Sequence, residues 1–296
     1  MDVTSQIQDI LSKAGNAING YDADDNDITY DSIALWKSTV LEESNGNISI
    51  FEFAANKPIA SEELKEQWYK TGHDYYEDES KCPATVDGVL GGFAHLSPRD
   101  LKASKSFLEK LQEVRPEFRV NKCDNDGVDT YALECGAGIG RVSKGLLFPL
   151  GFTICDLVEP SQRLLSHAPD YIGQEYASRC RYFCTGLQDF TPQPDKYNII
   201  FIQWVVGYLT DEDLVAFLKR CAVGLSKGGV IVIKDNTCQD VAFVADRDDA
   251  SVTRSLPYIS AIVQLSGLKV VMEKYQEDFP KNIFPVPMLA LARRDD

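Results

Sequence analysis

Residues 129–141 read Asp-Thr-Tyr-Ala-Leu-Glu-Cys-Gly-Ala-Gly-Ile-Gly-Arg. A short apolar run ends in an acid, Glu134, and glycines follow at alternate positions, Gly136, Gly138 and Gly140. The stretch from Arg141 to Phe148 is compatible with a helix. The pattern predicts a strand, a tight glycine turn and a helix start. Glycine admits positive φ and lets a ligand come close to the backbone. The helix start behind the turn carries N–H groups without helical partners. In a β-α-β frame such a turn binds a nucleotide-like cofactor.

A dinucleotide fingerprint is spaced G-x-G-x-x-G and seats a pyrophosphate. Here the spacing is G-x-G-x-G, with a carboxylate two residues before the first glycine. S-adenosylmethionine has no phosphate but carries an ammonium and a sulfonium. A carboxylate and backbone groups suit it better than a bare anion site does. Glu134-Cys-Gly-Ala-Gly-Ile-Gly resembles motif I of the seven-strand methyltransferases. Taken alone, the glycines also fit a structural turn or another nucleotide site.

Downstream, strands and helices alternate. Strands are predicted over 129–134, 152–158, 181–185, 197–202 and 230–234, with helices over 139–148, from 161, and over 211–225. The last of these has apolar residues at 214, 217, 218, 221 and 225, at helical spacing. Glu159, at the end of the second strand, lies 19 residues beyond Gly140. An acid there can accept hydrogen bonds from both hydroxyls of a ribose. A further helix is expected over 251–265, then strands over 267–272 and 286–292 as an antiparallel edge. Pro285 and Pro287 fit only an edge or a strand start. The fold expected is α/β and Rossmann-like, a mostly parallel seven-strand sheet with helices on both faces and ligands at the carboxyl ends of the strands.

Upstream, residues 1–60 read as an acidic, partly flexible extension and 61–296 as one domain. Within that domain, 61–115 supply helices and a loop and 129–296 the α/β core. Residues 33–40 and 48–53 are short apolar stretches, and the first 25 residues are assigned no structure. Ser61 reads as the N-cap of a helix carrying Trp68, Tyr69, Tyr75 and Tyr76, with Trp68 expected in the core. Residues 85–93, Thr-Val-Asp-Gly-Val-Leu-Gly-Gly-Phe, read as an irregular glycine loop, either a lid or a connector. Ser97-Pro-Arg-Asp is expected to cap a helix running to Val114.

At 296 residues the chain can bury one large core. Its net charge of −15 argues against nucleic acid as a partner. Residues 1–80 hold 17 acidic and 5 basic side chains, −12 of that total, so the acidity says little about a catalytic cleft. No apolar run reaches the roughly 18–20 residues of a membrane span. The first residues show no secretory pattern, which predicts a cytoplasmic or nuclear protein. The eight cysteines form no CxxC and no even framework, so reduced thiols and no metal site are expected.

Several segments together resemble the α-N-terminal protein methyltransferases that act on Xaa-Pro-Lys/Arg N-termini. They are Thr85-Val-Asp-Gly-Val-Leu-Gly-Gly-Phe, Glu134-Cys-Gly-Ala-Gly-Ile-Gly-Arg, Gly186-Leu-Gln-Asp-Phe-Thr-Pro, Ile202-Gln-Trp-Val-Val-Gly and Ile233-Lys-Asp-Asn. The likeness covers about 65–296. It implies S-adenosyl-L-methionine as cofactor and S-adenosyl-L-homocysteine as product. It implies cofactor contacts at Gly136, Arg141, Glu159, Leu187, Gln188 and Gln203, with Pro160 and Ser161 flanking the ribose. It places a peptide groove at Leu90, Gly91, Trp204, Asn236, Asp246 and Asp249. The substrates it implies are protein N-termini with a basic third residue, such as ribosomal or chromatin proteins, handled by a monomer.

Three positions depart from the family pattern. A histidine usual after Trp-x-x-Gly is Tyr208, a tryptophan before the lid is Tyr76, and a hydroxyl-bearing aromatic near the C-terminus is Phe284. Methyl transfer to nitrogen needs a neutral amine, and an α-amino group titrates at about 7.7–8.0. Tyrosine, with an ordinary pKa near 10, is a poor base. The expectation is therefore that Asp249 accepts the proton, Tyr208 orients the amine and Asn236 holds the peptide backbone. A methyltransferase with a different amine acceptor and a weakly active cofactor-binding scaffold are the other readings.

Overall fold

The computed structural model describes residues 2–22, 27–28, 61–120, 129–246 and 248–295. The apolar stretches 33–40 and 48–53 lie outside them. In chain order the strands are β1 Gly20–Asp22, β2 Asp27–Ile28, β3 Tyr131–Cys135, β4 Ile154–Val158, β5 Cys180–Phe183, β6 Tyr197–Gln203 and β7 Leu225–Lys234, then β8 Phe243–Asp246, β9 Ser251–Arg254, β10 Leu268–Tyr275 and β11 Pro287–Arg293. The longer helices are α1 Val3–Lys13, α2 Ser61–Glu77, α3 Ser97–Val114, α4 Gln162–Ile172, α5 Asp211–Gly224 and α6 Leu256–Leu265.

The main sheet has the order β10-β11-β7-β6-β3-β4-β5. β7, β6, β3, β4 and β5 run parallel, whereas β11 is antiparallel to β7 and β10 to β11. From β3 the chain builds outward through β4 and β5, then returns to lay β6 on the other side of β3. That reversal opens a crevice at the carboxyl ends of β3 and β6. The central strands are near-continuous apolar runs because both faces are covered. Side chains alternate between the faces. Ala132, Ile199, Phe201, Val230 and Val232 pack with Phe107, Leu108 and Leu111 of α3 and with Phe148. Leu133, Ile200, Ile202, Ile231 and Ile233 pack with Leu214 and Phe217 of α5 and Ile259 and Ile262 of α6.

Four local expectations change. The first residues form α1, whose N-cap Asp2 takes the Ser5 amide at 2.7 Å and whose Ile7 and Leu11 enter the core. β1 likewise joins a second sheet, β2-β1-β8-β9, so the segment expected as an extension has built parts. The helix expected over 251–265 begins at Leu256, because Ser251–Arg254 pairs antiparallel with Phe243–Asp246. Ser255 caps the helix there by accepting from the Tyr258 amide, with a proline in the first turn. The glycine loop at 85–93 is not wholly irregular, since Thr85 caps a helical turn Val86–Val89. Ser97 is the first residue of α3 and not its cap. Trp68 is in the core, 2% exposed. The seven cysteines among the described residues are free.

Candidate active site

Two cavities meet at the crevice. The inner one, about 520 Å³, is lined by Glu134–Gly138, Arg141, Glu159–Ser161, Leu187, Gln188 and Gln203. The outer one, about 830 Å³, is lined by Gly91, Asn236, Asp249, Phe284 and neighbours. Tyr76, Val89, Leu90, Trp204 and Tyr208 line both. The predicted cofactor residues Gly136, Arg141, Glu159, Pro160, Ser161, Leu187, Gln188 and Gln203 thus share one cavity. The predicted groove residues Leu90, Gly91, Trp204, Tyr76, Tyr208, Asn236 and Asp249 share the other. Asp246 does not line either cavity; it is exposed, and its carboxylate accepts from the Asp248 amide at 2.9 Å.

Gly136 has φ +66°, and a Cβ there would lie 2.8 Å from the Val205 side chain. Only glycine fits this turn without displacing the opposite wall. Glu134 accepts from the amides of Val142 at 3.1 Å and Ser143 at 2.7 Å, so it caps the helix behind the turn. Burial pushes its carboxyl up to about 7. Glu159 takes the Gly138 and Ser161 amides, each at 2.9 Å, one on each oxygen. Each of those oxygens has a second lone pair, and Glu159 lines the inner cavity. Burial raises this carboxyl too. Arg220 braces the turn after β5 by donating to the carbonyls of Leu187, Gln188 and Phe190, each at 2.9 Å.

Beneath the inner cavity lies a buried charge network that the motifs did not reveal. Asp100 is 2.5 Å from Lys234 Nζ and 2.8 Å from Arg141 Nη1. Gln203 Nε2 donates to Asp100 Oδ1 at 2.8 Å. Lys234 Nζ also donates to Ser104 Oγ and Gln276 Oε1. Two cations share one carboxylate, leaving surplus positive charge below the cavity. Gln203 Oε1 is buried with no hydrogen-bond partner. An unmet acceptor on a cavity wall is costly unless a ligand completes it. A signal for the network did exist. Ser97, Asp100, Ser104, Phe107 and Leu111 fall on one helical stripe, and polar groups stand among its apolar ones.

At the junction, Tyr208 Oη donates to Asp249 Oδ2 at 2.8 Å and is hydrogen-bonded to the Tyr76 hydroxyl. Asp249 Oδ1 accepts from Ser251 Oγ at 2.6 Å. Since the Tyr208 proton goes to Asp249, Tyr76 is the donor of the second bond. Burial raises the Asp249 carboxyl, and Asp246 and Asp248 add to that. Burial holds the Tyr208 phenol well above its ordinary value, so it stays protonated. Trp204 sits at φ +53° with Arg141 5.5 Å over its ring. Asp235 does more than end its strand. Its carboxylate accepts from the amides of Val205 at 2.9 Å, Val206 at 3.0 Å and Asn236 at 2.8 Å, fixing the turn that carries Tyr208. Trp68 Nε1 donates to the Tyr208 carbonyl at 3.0 Å from the other side.

Residues 64–292 match a family model described as AdoMet dependent proline di-methyltransferase. The N-terminal Xaa-Pro-Lys N-methyltransferase 1 of Xenopus tropicalis is 45% identical over 225 residues, covering 76% of this chain and 95% of that protein. The protein of the same name from Bos taurus is 42% identical, covering 77% and 97%. A solved Leishmania major SAM-dependent methyltransferase superposes with a TM-score of 0.71 at 30% identity, covering 93% of this chain and 96% of that one.

Proposed function

Because the chain belongs to the AdoMet dependent proline di-methyltransferase family, we propose how its two cavities divide the work of an N-terminal methyltransferase. The enzyme uses S-adenosylmethionine and methylates the free α-amino group of proteins beginning Xaa-Pro-Lys/Arg. The observation that carries this reading is the junction. Trp204 and Tyr208 line both cavities, and the Tyr208–Asp249 pair stands at that shared wall.

The inner cavity suits the cofactor. Gln203 Oε1, buried and unpartnered, is an acceptor for the ammonium of the methionine end. Arg141, paired with Asp100 beside Lys234, would hold the methionine carboxylate. Glu159 would accept from the ribose hydroxyls beside Pro160 and Ser161, and Leu187 and Gln188 would hold the adenine. Bound there, the cofactor supplies an electrophilic methyl group.

In the outer cavity, Trp204 packs on the substrate proline and Asn236 holds the peptide backbone, with Leu90 and Gly91 as the covering wall. Tyr76 orients Tyr208. The Tyr208 oxygen, whose proton is committed to Asp249, accepts an N–H of the amine and aligns its lone pair. Asp249 takes the proton the amine must lose. Asp246, exposed near the groove, supports the preference for a basic third residue by its charge.

The test is intact-mass analysis of a Ser-Pro-Lys peptide and its N-acetylated form after incubation with S-adenosylmethionine. Methyl increments on the free peptide alone are expected. Transfer to neither peptide, with the cofactor bound, would refute the acceptor assignment.

A further inference from the structure

The family model begins at residue 64, so α1 and β1 lie outside it. We propose that residues 2–22 are a positioning element for the acceptor end of the cleft. The inference rests on reading Tyr208 and Asp249 as that end.

Two routes, meeting where Arg254 pairs opposite Phe243, run from this segment to the two partners of the Tyr208–Asp249 bond. In the first, Thr4 Oγ1 of α1 donates to Asp211 Oδ2 at 3.3 Å. Asp211 also accepts from Arg254 Nε at 2.9 Å and from the Tyr258 hydroxyl at 2.6 Å. Arg254, 2% exposed, donates onward to the Val206 carbonyl at 3.0 Å and the Leu209 carbonyl at 2.8 Å. Those carbonyls bracket the turn that presents Tyr208.

In the second route, the Asn19 carbonyl accepts the Ala242 amide at 2.7 Å. β1 then pairs parallel with β8, Gly20 opposite Phe243 and Asp22 opposite Ala245. β8 pairs with β9, and the turn between them carries Asp249. A two-stranded hairpin is marginal by itself, and added strands stabilise it. The segment therefore fixes both the phenol and the carboxylate. No residue of 2–22 lines either cavity, and neither route touches Gly136, Arg141, Glu159, Gln188 or Gln203, so the brace acts through the turns that carry Tyr208 and Asp249.

Gly20 makes the pairing testable. A Cβ there would fall 2.4 Å from the Phe243 carbonyl oxygen and 2.5 Å from its ring, so a larger residue lifts β1 off β8. The experiment uses the full chain with Gly20→Val or Thr4→Val, and Ile18→Ala, at an exposed position, as control. Three quantities are read: the peptide KM, the cofactor Kd by calorimetry, and amide exchange over residues 243–254. Gly20→Val is expected to raise the peptide KM about tenfold, and Thr4→Val about threefold, as for the loss of a strand contact and of one hydrogen bond. Amide exchange over 243–254 rises in Gly20→Val, and the cofactor Kd stays within about twofold in both variants. Ile18→Ala changes nothing. An unchanged peptide KM in both variants, or a cofactor affinity that falls in step with the peptide's, overturns the proposal. A wild-type chain inert toward the peptide would sink the functional reading instead, and the exchange data would then decide the brace by themselves.

Discussion

At the end of the cleft proposed for the cofactor, Gly136, Glu159, Leu187 and Gln203 stand at or just beyond the carboxyl ends of β3, β4, β5 and β6. At the proposed acceptor end, Tyr76 comes from α2, Tyr208 from a short turn, and Asp249 from a turn in a second sheet. The first set is placed by the register of one parallel sheet, each residue within a few positions of a strand end. The second is assembled by bonds between residues 41 and 132 positions apart in the chain. A substitution at the first end should therefore act locally on affinity. At the second end it should act on turnover and on pH dependence.

The largest effect expected is from Gly136→Val, which combines a Cβ contact with Val205 and a side chain at positive φ. Strain of about 3 kcal/mol raises the cofactor Kd more than about 100-fold. Calorimetry checks it, and a variant that still binds well would show that the turn is not the cofactor seat. Asp249→Asn should lower kcat roughly 100-fold, the lower range for a general base, with cofactor Kd nearly unchanged. If kcat at pH about 7.5 stays intact in Asp249→Asn while Tyr208→Phe abolishes it, proton acceptance belongs elsewhere.

A smaller effect is expected from Tyr208→Phe, about tenfold in kcat/KM for the peptide, the worth of one hydrogen bond to a charged group. Tyr208→His should stay active and sharpen the comparison through pH. With Asp249 as the proposed proton acceptor, wild-type activity should be lost as pH falls through its raised pKa, with the amine's own protonation superimposed. A histidine would put a new acid-side limb near its ordinary 6.5. A pH–rate profile reads the difference, and identical profiles would exclude position 208 from the proton path.

The smallest effect concerns Glu134. Its folded carboxyl is raised to about 7 from an ordinary 4.5, so between those values the folded chain holds a proton that the unfolded chain releases. Stability from this group falls as pH rises through that window. Glu134→Gln should flatten the decline of Tm across it. An unchanged slope would mean that Glu134 is ionised in the fold.

The parallel core was legible because its signals are local. Glu134-Cys-Gly-Ala-Gly carries its own turn, and the apolar runs of β6 and β7 announce strands buried on both faces. Two kinds of feature escaped. Ser251–Arg254 is short, and its strand character comes from pairing with β8 rather than from its own pattern. The first residues looked solvated because acidic composition dominates the segment, yet Ile7 and Leu11, four apart, suffice for one helix face. Asp100 and Lys234 escaped because each charge is explained by partners distant in the chain.

The sequence by itself determined the strand–turn–helix unit, the acid after β4, the alternation that makes a parallel sheet and the resemblance that names the reaction. These follow from periodicity and residue chemistry within a few positions of the chain. The tertiary structure alone decided that Tyr76, Tyr208 and Asp249 form one hydroxyl–carboxylate chain, that Lys234 and Arg141 share Asp100, and that α1 and β1 bond to Asp211 and β8. Those arrangements depend on burial and on contacts between distant segments, and burial is what turns scattered polar residues into paired ones.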